Sequence, residues 1–89
     1  MTPYRSFREL ARREPKEGAY LIEYRRGASG IAVMAIHGGG IEPGTTEIAE
    51  AVAGRDHSFY SFTGIKPEGN WRLHISSRLF DEPDRKSVV

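Results

Sequence analysis

The 89 residues carry 13 lysines and arginines against 12 acids, a formal charge of +1, with 38% hydrophobic residues and no cysteine. That length holds one small domain, and the balanced charge argues against a dedicated nucleic-acid binder, which shows a clear basic excess. The lack of cysteine excludes disulfides and thiolate metal sites, so any metal must be held by imidazole and carboxylate.

In chain order, Ser6 followed by Glu9 has capping-box spacing, with Phe7, Leu10 and Ala11 as an apolar stripe, predicting a helix over residues 6–14. Arg5, Arg8, Arg12, Arg13, Arg25 and Arg26 cluster early and read as a solvated helix face and a solvated turn. Residues 19–25 (AYLIEYR) predict a strand, Gly27 to Gly30 a turn, and the continuous apolar run 31–36 (IAVMAI) a strand buried on both faces. Residues 45–53 (TTEIAEAVA) have helical spacing and stop at Gly54. Residues 58–62 (SFYSF) and 73–76 (LHIS) predict third and fourth strands, joined by the turn-rich segment 64–70. Strand, helix, strand in this order implies a βαβ unit with a parallel pair. No apolar run approaches the roughly 18 residues of a membrane span. Met1-Thr2-Pro3-Tyr4 is no signal peptide, so a cytoplasmic chain with no membrane partner is expected.

Chemistry concentrates in His37-Gly38-Gly39-Gly40-Ile41-Glu42-Pro43-Gly44. A buried parallel strand ending at His37 puts the imidazole at the carboxyl edge of the sheet, where open α/β sheets bind ligands. Three glycines allow a tight turn and would leave space beside the ring. An imidazole and the Glu42 carboxylate converging on such a space suit zinc. Taken singly, each residue also has an ordinary role: a satisfied polar histidine, a flexible turn, an acid near a helix N-terminus. Gly39 to Gly44 followed by Thr45-Thr46 also approximates a phosphate-binding loop, but Thr45 stands where the lysine must be and Glu42 would repel a phosphate.

The segments IHGGGIEPGTTEIAEAVAG, FYSFTGIKPEGNWRLHISS and LFDEP resemble the poly-γ-glutamate hydrolase family, phage- and prophage-associated zinc enzymes with a zinc-carboxypeptidase-like fold. The resemblance spans about residues 4–83. It implies an α/β class, the N-terminal part of a mixed or parallel sheet with flanking helices. It also implies a zinc-dependent hydrolase cutting γ-glutamyl amide bonds, with His37 and Glu42 as metal ligands. Glu47 could orient a ligand, although a solvated first-turn acid is the simpler reading. His74 is expected to line the site, Asn70 and Arg72 could meet substrate carboxylates, and His57 reads as a surface residue. Asp81 and Glu82 read as loop or helix-start acids.

The family continues beyond the FDEP segment, with a further histidine ligand and a catalytic carboxylate that this chain does not contain. Residues 84–89 (DRKSVV) depart from the family pattern and match an in-frame translation of a common sequencing adapter, so a non-native tail after a partial domain of residues 1–83 is expected. On this reading the chain by itself binds zinc weakly and is inactive. The rival expectations are a non-enzymatic phage or prophage protein, nucleic-acid-associated through its arginines, and a phosphate-loop protein.

Overall fold

The computed structural model describes residues 3–77 and 79–88. Helix α1 spans Phe7–Arg13, strand β1 Tyr20–Arg25, strand β2 Ala32–Gly39, helix α2 Thr45–Ala53 and strand β3 Ser58–Gly64, followed by 3-10 turns at Asn70–Leu73 and Pro83–Val88. The sheet order is β1-β3-β2. β1 runs antiparallel to β3, and β2 parallel to it, so the expected βαβ unit is β2-α2-β3.

The predicted fourth strand does not form. Gly69 takes a left-handed φ of 81° and starts the 3-10 turn, which ends at His74. The Asn70 side chain bonds both the Lys66 amide and the Lys66 carbonyl, at 2.9 and 2.8 Å. That local closure competes with extension into a strand. β2 also departs from expectation. It lies at the edge of the sheet and is only half-buried at Ala32, Val33 and Met34, with no strand beyond it among the described residues.

β3 is the central strand and organises two layers. Phe59 packs with Val33, Ala35, Ala49 and Ala53 between the sheet and α2. Tyr60 and Phe62, both fully buried, face the other way into a larger cluster with Leu10, Tyr20, Leu73, Ile75 and Phe80. Phe62 meets the rings of Phe7, Tyr20 and Phe80 at centroid distances of 6.0, 5.0 and 5.3 Å. Burying such a ring contributes about 2–3 kcal/mol.

α1 begins as its sequence predicts, with Ser6 Oγ accepting the Glu9 amide at 3.2 Å. The return contact goes to the Arg5 amide rather than to Ser6. A second cap comes from far along the chain: Asp81 Oδ1 accepts the Phe7 amide at 2.7 Å. Glu82, almost fully buried, accepts the Tyr60 hydroxyl at 2.6 Å and the Asp84 amide at 2.9 Å. The two acids of the FDEP segment therefore fasten it across α1 and β3. Beyond them, Val88 is buried in the larger cluster and Arg26 Nε donates to the Ser87 carbonyl at 2.7 Å. Among the described residues no helix is long and apolar enough to cross a membrane.

Candidate metal centre

The strand pairing breaks where the chemistry begins. Ala35 pairs with Ser61, but the next pair is Gly38 with Thr63, so β2 carries one extra residue, a β-bulge that re-aims a side chain. Ala35 packs toward α2, and Gly38 lies against Thr46 of α2 and Ser61. The bulge leaves Ile36 and His37 between them. Ile36 joins the larger cluster, and His37 turns the same way, its Nε2 lying 2.7 Å from the Ile75 carbonyl. Strict alternation would have aimed His37 at α2.

The glycines serve close packing rather than open space, contrary to the sequence expectation. Gly39 has φ 61°. A Cβ on Gly40 would fall 2.7 Å from Asn70 Cγ. The loop then folds back on the strand end: the Glu42 amide donates to the His37 carbonyl at 2.9 Å. Thr45 Oγ1 lies 3.0 Å from the same carbonyl and 2.9 Å from that of Glu42. Thr45 thus clamps the histidine and glutamate backbones together. Its signal in the sequence was a Thr directly after Pro-Gly at a helix start, a common place for such a bond.

The result is a contact of 2.9 Å between His37 Nδ1 and Glu42 Oε1. The Ile75 carbonyl has no proton to give, so His37 Nε2 must carry one and donate it. In the neutral ring that leaves Nδ1 as a bare lone pair. A lone pair facing a carboxylate oxygen at this distance is repulsive unless a positive charge lies between them. That charge is either a second ring proton or a metal ion. His37 is largely buried, whereas half of the Glu42 side chain is open to solvent.

His74 completes the group: one donor atom each from His37, Glu42 and His74 lies within 4.8 Å of the others. Its ring stacks on His37 at 3.9 Å between centroids and 20° between planes. In-plane lone pairs of nearly parallel rings do not converge on one point, so this stacking suits a wall of the site better than a second imidazole ligand. Burial pushes the His74 pKa down and the neighbouring His37 adds to this, against an opposing pull from Glu42. The ring is therefore neutral at pH 7.

The other candidates stand apart from this group. The two polar ends of the Asn70 amide are occupied by Lys66 backbone groups. Arg72 lies over the Trp71 ring, 5.1 Å from its centroid, and lines a hollow with Tyr4 and Arg13. Glu47 is an exposed first-turn acid of α2. His57 is partly exposed, with Nδ1 2.7 Å from Ser29 Oγ. The loop is also unsuited to cradling phosphate. The amides of Gly40, Ile41, Glu42 and Thr45 are bonded to carbonyls of Gly64, Gly38, His37 and Glu42.

Comparison with known proteins places the chain in a family. The family model described as poly-gamma-glutamate hydrolase matches residues 4–89. The UPF0714 protein YndL of Bacillus subtilis (strain 168) is 44% identical over 80 residues, 90% of this chain and 31% of YndL. A solved bacteriophage poly-gamma-glutamate hydrolase superposes with a TM-score of 0.85 at 39% identity, over 93% of this chain and 41% of its own. A zinc-free apo structure of YndL gives a TM-score of 0.86 at 42% identity, over 93% of this chain and 40% of that one. The chain thus spans about a third of the length of YndL and two-fifths of the solved structures. By sequence match and by fold, the chain belongs to the poly-gamma-glutamate hydrolase family.

Proposed function

We propose that this chain carries two of the zinc ligands of a hydrolase that cuts γ-glutamyl amide bonds, His37 Nδ1 and Glu42 Oε1. The observation behind this reading is their 2.9 Å approach with His37 Nε2 tied to the Ile75 carbonyl. Two ligands of one tetrahedral zinc ion, each at ~2.0 Å, stand about 3.3 Å apart, so the pair needs only a small opening to admit the ion. The donor set of one imidazole and one carboxylate is chemically suited to zinc. When bound, zinc supplies a Lewis acid that polarises an amide carbonyl and acidifies water.

The remaining work belongs to the chain's own groups. The Ile75 carbonyl fixes the His37 tautomer and ring orientation, as carbonyls behind metal-bound histidines do. Thr45 holds the two ligand backbones in register. The neutral ring of His74 walls one side of the site without adding charge to it.

A metal titration by calorimetry tests this. The chain is expected to take one zinc ion weakly, with His37→Ala abolishing binding and Glu42→Gln weakening it at least tenfold. Undiminished binding in both variants would sink the assignment. The rival reading, a nucleic-acid-associated protein, draws only on the exposed arginines of α1 and predicts salt-dependent DNA binding with no metal requirement.

A further inference from the structure

The 3-10 turn that leads into His74 also lines a polar hollow of about 310 Å³, together with Pro3, Tyr4, Glu9 and Arg13. Arg13 comes from the last turn of α1 and Arg72 from the 3-10 turn. Both side chains are exposed. The ion pairs among the described residues are Arg25–Glu50, His37–Glu42 and Lys66–Glu14, so neither Arg13 nor Arg72 has a carboxylate partner there.

The acids around the hollow are already engaged. Glu14, behind Tyr4, accepts the Tyr4 hydroxyl at 2.7 Å and Lys66 Nζ at 3.0 Å. Glu9 on the rim accepts the Arg5 amide at 3.3 Å. Arg72 is further restrained by lying over the Trp71 ring. Two guanidinium groups with no ion-pair partner among the described residues, one of them held by stacking, thus line one hollow, where the rim acid Glu9 already accepts the Arg5 amide. A planar guanidinium fork matches a carboxylate in geometry and charge.

We infer that Arg13 and Arg72 form a subsite for a free carboxylate of the substrate polymer, beside the unit whose amide bond is cut. This rests on the γ-glutamyl reading above. In a γ-linked chain every unit keeps its α-carboxylate, so an anion recurs at each step along the polymer. The Cα atoms of Arg72 and His74 are two residues apart, at most about 7 Å. One extended γ-glutamyl unit covers about 6 Å along its five backbone bonds. The subsite therefore sets which unit sits at the metal ligands by gripping a neighbour.

The test is calorimetric binding of a γ-linked tetraglutamate to the chain and to the double variant Arg13→Gln/Arg72→Gln, with Arg12→Gln as a control for bulk charge. The double variant should bind about tenfold more weakly while its zinc affinity and thermal midpoint hold. The Arg12 control should bind as the parent does. Lysine at both positions should restore part of the affinity, since it keeps the charge but not the fork. Equal binding by parent and double variant overturns the subsite and leaves the zinc reading standing. A matching loss in the Arg12 control, or tighter binding of an oligothymidylate of equal charge, also overturns it. A parent chain that binds neither zinc nor tetraglutamate overturns the underlying reading with it.

Discussion

Acid should loosen this protein through one carboxylate. Glu14 closes α1 and is 7% exposed, yet it carries two charge-assisted contacts, from the Tyr4 hydroxyl at 2.7 Å and from Lys66 Nζ at 3.0 Å. Burial pushes its pKa up, but the two hydrogen bonds and the charges of Lys66 and Arg72 outweigh it, leaving the carboxyl below its usual range. A depressed folded pKa means stability that is fully present above the unfolded value of about 4.3 and is lost as pH falls through the folded value. Glu14→Gln removes the charge that Lys66 faces and puts an amide donor near groups that donate. Hydrogen bonds to charged groups are worth about 1.5–3 kcal/mol each. Part of the Lys66 contact is solvent-screened, so a net loss of about 2 kcal/mol at pH 7 is expected. For a domain of this size that is a fall of roughly 8–16 °C in thermal midpoint. Urea unfolding of parent and variant from pH 7 to pH 3 reads it directly: the gap should close as the parent's own Glu14 takes up a proton. A gap that stays constant down to pH 3 would refute the reasoning. The contact bears on the site, because Lys66 is held by Asn70, and Asn70 backs Gly40 of the ligand loop.

Asp81→Ala removes a cap on α1 supplied from 74 positions away. It should cost about 1 kcal/mol, seen as a drop of ~4–8 °C in thermal midpoint without loss of zinc. Gly40→Ala would press a methyl group onto Asn70, which is tethered at both ends of its amide and has little room to yield. The expected result is a destabilisation of about 1–3 kcal/mol and zinc binding weakened together with it, by calorimetry. A stable variant with unchanged affinity would show that the loop is not positioned by this contact.

Much of the architecture was legible in the sequence because local signals and burial agreed. Ser6 with Glu9 marked the start of α1, Gly54 marked the end of α2, and the apolar runs located β1, β2 and β3. The failure at residues 73–76 has a local cause: LHIS has strand-like composition, but Gly69 and the Asn70 side chain turn the chain into a 3-10 helix first. Burial of β2 was overestimated because an apolar run reads alike at the centre and at the edge of a sheet. His37 and Glu42 stood out as a pair. What brings them into contact did not, because a bulge is a property of two strands in register, and the Ile75 carbonyl that fixes the ring is a backbone group 38 positions away. The shared hollow of Arg72 and Arg13 likewise depends on α1 arriving beside the 3-10 turn.

The most direct measurement is the protonation pattern of the His37 ring by two-bond nitrogen–proton NMR, with and without zinc. The geometry predicts that Nε2 keeps its proton throughout, donated to Ile75, while the Nδ1 resonance moves to a metal-bound shift on saturation with zinc. A zinc-loaded protein in which Nε2 loses its proton, or in which the His37 nitrogens do not move, would contradict it.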